Sequence, residues 1–438
     1  MKKRATLILV LVFLVFPLCL YAGGGQEAKE AAAPQKLVLN YWSWNNPSTK
    51  WEQRMMEEYE SLHPDVSFIY HTQDQYKIRD TMGPALKDKD KTLDCAHFYY
   101  GAVLKPIAEA GLVMDLTPYF EKYGWFDFLF KGAEKYRING KPYIINASLC
   151  TTPVIWYNVD TFSEVGVKPA KTMDELLAIS NKIRAAGHDT IVAGFQTQWP
   201  LQHLFNLMTI NTIGEADWAT LLETNNSDYK GRMKWTDPRI AEAIDTIKWM
   251  YDNHVLSERC FALDFPGSRG AIQSGEASML TDGSWETVWL GAETEGKLKH
   301  DYFLWPSPNP SLPYKMIGTS ADGYIIPSYS KDKADAIADF YNYILQKKQQ
   351  IKGLQMGIST IRRDFTNAEL QEYWDPKFIR LFNQDLNTYG FGEVSDIWLT
   401  TEFIDVMTTR IQEIVLKQIA PADALAELEA LAKDIRSR

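Results

Sequence analysis

The sequence predicts an α/β protein with two lobes, and three observations carry that prediction. First, residues 36–71 read as strand, helix and strand, because Lys36–Trp44 and Val66–His71 have strand character and Trp51–Leu62 has apolar residues at helical spacing. Second, about 400 residues follow a short leader, which exceeds a single ordinary hydrophobic core. Third, the extended segment Gly140–Phe162 suits a chain that crosses from one lobe to the other.

The opening unit indicates a parallel sheet. Pro64 ends the first helix, because proline lacks a backbone donor and restricts the residue before it. A helix between two neighbouring strands is the connection that parallel pairing requires. A looser repeat follows, with a strand at Leu93–Tyr100, a helix at Val103–Ala110 and Gly111 as its C-terminal stop.

The rest of the chain alternates helices with short strands. One helix begins after Thr172, which suits an N-cap, with Glu175 as its expected capping-box partner and Gly187 at its end. Short strands are expected in YFLWPSPNP, which leaves the second lobe, and in SADGYIIPSYS, which returns to the first. Further helices are predicted over residues 238–254, 333–345, 403–419 and 422–435.

The N-terminus has the layout of a secretory signal peptide. Three cations at residues 2–4 precede the apolar run Leu7–Phe16, which is too short for a comfortable membrane span of about 20 residues. We expect residues 1–22 to be removed by cleavage after Ala22, with acylation of Cys19 as the open alternative. Residues 23–35 then form a flexible linker, so the protein is expected to be periplasmic or extracellular, and lipid-anchored if Cys19 is acylated.

The composition argues against some partners and leaves the thiols open. A formal net charge of −10 and the lack of a basic stripe argue against a nucleic-acid partner. Outside the leader, Cys95, Cys150 and Cys260 have no CxxC spacing. One disulfide of undetermined pairing and buried free thiols therefore both stay open.

The aromatic content indicates a ligand that packs against rings. Phe, Trp and Tyr make up 13% of the chain, with 14 Trp. Sugars present apolar C–H faces to aromatic rings and hydroxyls to planar polar side chains. In the stretch TDGSW, Gly283 and Ser284 precede Trp285, and such small residues would let a ligand approach the backbone beside that ring.

Several motifs, in their order, resemble the family 1 extracellular solute-binding proteins of ABC importers, the maltose-binding-like group. The similar stretches are YWSW, YESLHPDVSF, IAEAGLVMDLTPY, GKPYIINASLCTTPVIWYNVDTFSEVGVKPAKTMDEL, IQSGEASMLTDGSWE and APADALAELEA, and the match spans Lys36–Arg438. The resemblance implies the type II periplasmic-binding-protein fold, with a ligand cleft between two lobes joined by crossing hinge strands. It implies lobe 1 at 36–145 plus 321–345, and lobe 2 at 146–320 plus 346–438.

The resemblance also implies a function. A protein of this kind captures a carbohydrate, a mono- or oligosaccharide, closes around it and delivers it to the transmembrane subunits of an ABC permease. We expect a monomer that uses no cofactor. Two stretches depart from the family pattern: YIINAS replaces a Gly-x-Pro after the crossing Tyr, and no acidic residue lies between Asp94 and Glu109, where the family often places one near the ligand.

Aromatic and acidic residues near strand ends are the candidate ligand contacts. Trp285 occupies the position that resembles the family's stacking Trp. Trp42 and Trp44 share a face near the C-terminal end of a strand, where α/β sheets bind ligands. The predicted ligand contacts are Trp42, Trp44, Tyr99, Trp199, Asp282, Trp285, Asp322 and Tyr324, each of which could instead serve packing within a lobe.

Two other classes of function stay open beside a non-enzymatic sugar receptor. A secreted carbohydrate-active enzyme would need two carboxylates at a defined separation across a sugar, and a receptor could bind a non-sugar solute such as a polyol phosphate or a peptide. The sequence has no GxSxG or HExxH motif and no Cys/His cluster with zinc spacing. His97, Tyr99 and Tyr100 could suggest a ferric-ion site, but no further ligands are identifiable and aromatic packing is the better explanation, so we expect no metal.

Overall fold

The computed structural model describes residues 36–44, 47–129, 133–292, 294–320, 322–356, 358–362 and 364–438. The predicted signal peptide at 1–22 and linker at 23–35, together with the Cys19 alternative, lie outside these residues. Within the described ranges, no helix combines the length and apolar character that crossing a membrane requires.

Strands and helices alternate along most of the chain. The strands are β1 (Leu37–Trp44), β2 (Val66–Gln73), β3 (Cys95–Tyr99), β4 (Ile145–Asn146), β5 (Cys150–Thr151), β6 (Val154–Asn158), β7 (Asp189–Val192), β8 (Ala277–Asp282), β9 (His300–Phe303), β10 (Met316–Thr319), β11 (Asp322–Ile325) and β12 (Phe391–Gly392). The α-helices are α1 (Pro47–Leu62), α2 (Gln75–Asp88), α3 (Leu104–Glu109), α4 (Thr117–Tyr123), α5 (Trp125–Phe128), α6 (Val159–Glu164), α7 (Met173–Ala185), α8 (Trp199–Ile213), α9 (Glu215–Leu222), α10 (Pro238–Asp252), α11 (Phe265–Gln273), α12 (Glu286–Ala292), α13 (Ala334–Leu345), α14 (Lys347–Gln355), α15 (Asn367–Tyr373), α16 (Pro376–Ile379), α17 (Leu386–Tyr389), α18 (Ser395–Trp398), α19 (Thr401–Val415) and α20 (Pro421–Ser437).

The first sheet has the strand order β2-β1-β3-β11-β4. β1 pairs in parallel with β2 and β3, whereas β11 runs antiparallel to β3 and β4. The predicted strand–helix–strand unit with a parallel pair is therefore confirmed. Its helix begins at Pro47, earlier than the predicted Trp51.

The second sheet has the strand order β7-β8-β6-β9. β7 and β8 are parallel, and β6 runs antiparallel to β8 and β9. β8 is buried along its whole length and ends at Asp282, directly before the small residues that lead to Trp285. The TDGSW stretch therefore begins with the last two residues of β8, an inner strand of this sheet, and continues beyond its carboxyl end.

Two short strands cross between the sheets side by side. β5 lies in sequence between β4 of the first sheet and β6 of the second, and β10 lies between β9 of the second sheet and β11 of the first. β5 and β10 pair antiparallel, with Gly318 opposite Thr151, and β12 joins β10 in parallel. The predicted crossing segment Gly140–Phe162 contains β4, β5 and β6, so it runs from one sheet to the other as expected.

The helices cover these sheets, and most of the predicted ones are present. The helices expected over 238–254, 333–345, 403–419 and 422–435 correspond to α10, α13, α19 and α20, with ends shifted by a few residues. α8 is buried on nearly every side and packs against α10 and α19. Cys95, Cys150 and Cys260 are free thiols, which agrees with the second of the two alternatives for them.

At the N-terminus of α7, Thr172 is the expected cap, but the carboxylate of Glu175 bonds to a different residue from the one expected. The Thr172 hydroxyl accepts a hydrogen bond from the backbone N–H of Glu175 at 3.2 Å, so the predicted N-cap is confirmed. The Glu175 carboxylate accepts from the backbone N–H of Lys171 at 2.6 Å instead of from Thr172. The first bond satisfies a backbone donor that a helix start leaves without an intrahelical partner. The second holds the backbone N–H of the residue that precedes the cap.

Candidate functional site

A cavity of about 300 Å³ lies between the two sheets, beside the crossing strands β5 and β10. This volume is at the lower end of the range for small-molecule sites. Six of the eight predicted ligand contacts line it: Trp44, Tyr99, Trp199, Trp285, Asp322 and Tyr324. Whether they touch a ligand stays a prediction, but the fold does bring them together.

The wall on the first sheet is built at the ends of three adjacent strands. Trp44 ends β1, Tyr99 ends β3, and Asp322 begins the antiparallel strand β11, where it lies opposite Tyr99. The Trp44 ring stacks on Tyr99 with ring centroids 4.8 Å apart, and it contacts the tilted ring of His97 at 4.2 Å. Trp44 is only 3% exposed, so it acts chiefly as support for the half-buried Tyr99.

The wall on the second sheet is an aromatic cluster. Trp199, at the start of α8, meets Trp285 edge-to-face at 5.6 Å and Phe265 at 5.2 Å. Trp199, Trp285 and Phe265 all keep part of their surface accessible. Rigid aromatic surfaces of this kind can bind the apolar face of a sugar at little cost in conformational entropy.

Gly283 has a different role from the one expected from the sequence. A Cβ on Gly283 would lie 2.3 to 2.5 Å from atoms of the Trp285 ring. The ring therefore folds back over the glycine and fills the space that was expected to admit a ligand. The small residue positions the indole, and Ser284 ties the same turn to β5, since the backbone N–H of Ser284 donates to the carbonyl of Thr151 at 2.9 Å.

A buried histidine with two acidic neighbours lies beneath the first wall. His97 Nδ1 lies 2.6 Å from Oε1 of Glu52, and its Nε2 lies 3.5 Å from Oδ1 of Asp322. Burial opposes a charge on His97, but the two carboxylates outweigh it and raise the pKa of His97 to about 10. The imidazole is therefore a cation at neutral pH, with a carboxylate close to each of its nitrogens.

Sequence reasoning missed Glu52 and undervalued His97. The resemblance placed an expected acid between positions 94 and 109, and the structure instead brings acids to that region from α1 and β11. The alternation along β3 could have indicated His97, because it shares a face with Tyr99. No local signal identifies Glu52, which lies in the second turn of a helix among other acidic residues.

A second imidazole–carboxylate pair lies beside the aromatic cluster. His203 on α8 and Asp396 on α18 both line the cavity, with Nε2 and Oδ1 3.9 Å apart. The Trp199 ring lies against His203 at a centroid distance of 5.1 Å. His203 belongs to the TQWPLQH stretch that includes the predicted Trp199, whereas nothing in the sequence singled out Asp396.

Two predicted contacts, Trp42 and Asp282, lie outside the cavity lining. Trp42 is buried, and its indole N–H donates to the carbonyl of Thr92. It shares a face with Trp44 but lies two residues earlier on β1, about 7 Å further from the sheet edge. Strand alternation gave the correct face and could not tell which of the two tryptophans reaches the edge.

Asp282 is buried at the end of β8. It is 1% exposed, and its Oδ1 accepts a hydrogen bond from the backbone N–H of Gly283 at 2.7 Å. Burial, together with the negative charge of Glu286, raises the pKa of Asp282 well above its usual range. Glu286 in turn pairs with Arg269, so these acids belong to a buried polar group that supports the turn before Trp285.

A ferric-ion site was the weaker explanation of His97, Tyr99 and Tyr100 in the sequence. Among the described residues, no three or more His, Cys, Asp or Glu side chains are grouped so that they could hold a metal ion. Glu52 and Asp322 each lie close to one nitrogen of His97, and the Tyr99 ring stacks on Trp44. Aromatic packing and ion pairing account for this part of the cavity.

Comparison with known families gives one match that covers most of the chain. A model of the family described as bacterial extracellular solute-binding proteins matches residues 43–351. These residues include the whole second sheet, the first sheet except for most of β1, the strands β5 and β10, and most of the residues that line the cavity.

The curated relatives have low sequence identity to this chain, and their names describe different proteins. An uncharacterized ABC transporter extracellular-binding protein of Pyrococcus horikoshii is 22% identical over 393 residues, which cover 86% of this chain and 86% of the relative. The sn-glycerol-3-phosphate-binding periplasmic protein UgpB of Brucella melitensis is 25% identical over 209 residues, which cover 46% of this chain and 45% of the relative.

Solved structures establish the fold. A chitin oligosaccharide binding protein superposes with a TM-score of 0.79 at 18% identity, covering 92% of this chain and 100% of that chain. The predicted two-lobe α/β fold of the type II class is therefore confirmed.

Proposed function

Because the chain belongs to the bacterial extracellular solute-binding proteins, we propose that it captures a carbohydrate and delivers it to the membrane subunits of an ABC importer. The observation that carries this proposal is the composition of the cavity. Accessible aromatic rings on one wall face a wall with Tyr99 and Asp322. Rings for C–H faces and carboxylates for hydroxyls are the two kinds of group that a sugar needs.

The charges around the cavity support a neutral solute over an anionic one. Three carboxylates line it, on Glu52, Asp322 and Asp396. The cation of His97 already lies between two of them, which leaves Arg79 as a guanidinium in the lining. A phosphate ester would meet more negative than positive charge, although the relatives named for glycerol phosphate keep that ligand class as the second candidate.

The remaining parts of the proposal concern location and partners. The family is extracellular, and the basic and apolar N-terminus supports export by a signal peptide, with cleavage after Ala22 or acylation at Cys19. We further propose that the protein works as a monomer, without turnover of the ligand, and that closure of lobe 1 (36–145 plus 321–345) on lobe 2 (146–320 plus 346–438) presents the sugar to the permease.

A titration with defined solutes tests the function. We expect the intrinsic Trp fluorescence of the mature protein to change saturably with at least one neutral sugar from a panel of maltose, raffinose, galactose, xylo-oligosaccharides and chito-oligosaccharides. The sugar should be recovered unchanged. Trp285→Ala should weaken binding of that sugar by at least tenfold, because the indole contributes rigid contact area.

The controls separate the receptor from its alternatives. Trp249→Ala removes a half-buried tryptophan of α10 outside the cavity lining and should leave the affinity unchanged. Appearance of a cleaved product would favour the enzyme alternative. Saturable binding of glycerol 3-phosphate with no response to any sugar would replace the proposed ligand class.

A further inference from the structure

Four polar atoms at one end of the cavity have no hydrogen-bond partner within the described residues. They are the indole Nε1 of Trp285, both ring nitrogens of His203 and Oδ1 of Asp396, and all four are shielded from solvent. Buried polar atoms in native proteins are nearly always hydrogen-bonded, because an unpaired one has lost its bonds to water without replacement. A cluster of such atoms on a cavity wall therefore indicates a place where a ligand completes the hydrogen bonds.

The cluster is continuous around one aromatic ring. Trp199 contacts Trp285 at 5.6 Å on one side and His203 at 5.1 Å on the other. His203 Nε2 then lies 3.9 Å from Asp396 Oδ1. That separation exceeds a hydrogen bond but leaves each atom within reach of one shared oxygen.

The surrounding structure holds this geometry in place. Gln202, next to His203 on α8, donates from Nε2 to the hydroxyl of Ser395 at 2.9 Å. Ser395 is buried and directly precedes Asp396 on α18. The two elements are thereby tied together one residue away from the groups in question, and His203 itself is only 7% exposed.

We infer that His203 and Asp396 hold a single ligand hydroxyl between them, beside the indole N–H of Trp285. The inference rests on the proposed function and specifies its ligand chemistry. An oxygen about 2.8 Å from both atoms would accept a hydrogen bond from the imidazole and donate its own proton to the carboxylate. A hydroxyl can do both, whereas a phosphate or carboxylate oxygen at this position would have no proton for Asp396.

The subsite therefore selects neutral, hydroxyl-bearing ligands. The indole N–H offers a further donor to a neighbouring ring oxygen or hydroxyl of the same sugar. The carboxylate rejects an anion at the same position, because like charges repel and an acceptor is left unpaired. Specificity of this kind comes from polar groups that only the correct ligand satisfies.

Calorimetric titration of variants tests the subsite, using the tightest-binding sugar of the panel above. His203→Ala and Asp396→Ala should each raise the Kd at least tenfold. Because both atoms hold one hydroxyl, the double variant should raise the Kd by clearly less than the product of the two single effects. Asp396→Asn keeps an acceptor and should lose less affinity than Asp396→Ala.

Monodeoxy forms of the same sugar, each of which lacks one hydroxyl, test whether His203 and Asp396 contact the ligand or only support the fold. One of them should bind the wild type weakly and show no further loss with His203→Ala or Asp396→Ala. A matched control is His254→Ala, which breaks an exposed histidine–glutamate pair of 3.0 Å outside the cavity. It should leave the Kd unchanged, and thermal unfolding of each variant checks that the fold is retained.

The outcomes distinguish this inference from the proposed function. Sugar binding that stays within twofold in both alanine variants would overturn the subsite and leave the receptor function standing. Equal losses for every deoxy sugar, or strict additivity of the two substitutions, would also overturn it. If no sugar of the panel binds, or only glycerol 3-phosphate does, the proposed function and the subsite both fall.

Discussion

The charge on His97 depends on two carboxylates that reach it from different elements. Glu52 comes from α1 and Asp322 from β11, and His97 itself lies on β3. Both His97 and Glu52 are almost fully buried. A buried pair of this kind is costly to break, because either partner alone keeps an uncompensated charge away from water.

The raised pKa of His97 makes the stability of the protein depend on pH. Its folded pKa of about 10 exceeds the unfolded value of about 6.5. The stabilisation from the protonated imidazole is therefore complete below about pH 6.5, and it is lost progressively as the pH rises toward 10. We expect the free energy of unfolding of the wild type to fall over this window relative to the double variant His97→Gln, Glu52→Gln, measured by urea unfolding at a series of pH values.

The single variants sharpen this test. His97→Gln alone should cost about 3–5 kcal/mol, because Glu52 is left buried without its cation, and adding Glu52→Gln should restore part of that loss. If the difference in unfolding free energy between the wild type and the double variant stays constant from pH 6.5 to 10, His97 is not charged.

At the scale of residues, the sequence identified the type of site better than its members. The family resemblance led to Trp285, and the chemistry of ring stacking favoured Tyr99 and Trp199; all three line the cavity. Asp282 lies only three residues before Trp285 yet stays outside the cavity lining, because it ends a strand that is buried along its whole length. Asp396 could not have been found, since it reaches the site only through the packing of α18 on α8.

Among the elements, β11 has a neighbouring strand packed closely against it at Gly323. Gly323 lies between β3 and β4, and a Cβ there would approach the carbonyl oxygen of Ile145 to 2.2 Å. We expect Gly323→Ala to lower the free energy of unfolding by at least about 1–3 kcal/mol, because the clash is with backbone. Chemical denaturation at constant pH measures the change.

A glycine with free space is the matched control for that substitution. Gly270 lies in α11, where an added Cβ would meet nothing within 4 Å. Gly270→Ala should leave stability unchanged or raise it by about 0.5–1 kcal/mol, because alanine loses less conformational entropy in a helix. Equal effects at the two positions would show that β11 can shift to accept a side chain.

Elements with one buried face were predictable, and fully buried or very short ones were not. α10 and α13 can be recognised in the sequence because their apolar residues recur at helical spacing. α8 is buried nearly all round, so its sequence has no polar face to reveal the helical period. β5 and β12 have two residues each and exist only because β10 pairs with both.

For the whole molecule, the paired strands β5 and β10 explain why a cavity forms where it does. Each strand leaves one sheet and enters the other, so the pair is the shared floor between the two walls. Cys150 and Thr319, which lie opposite each other in this pair, both line the cavity. The extended segment Gly140–Phe162 indicated a crossing between two lobes, whereas the facing of the two walls depends on contacts between distant segments.

This arrangement predicts that ligand binding changes the shape of the molecule. Tyr99 belongs to the first sheet and Trp285 follows β8 of the second, so a sugar held between them gains contacts when the walls approach. We expect the radius of gyration, measured by small-angle X-ray scattering, to decrease when the tightest-binding sugar of the panel saturates the protein. Trp285→Ala should reach the same decrease only at a higher sugar concentration, because it weakens binding without altering β5 and β10. Saturation proved by calorimetry with no change in the radius of gyration would mean that the walls are fixed and that the sugar enters a cavity already formed.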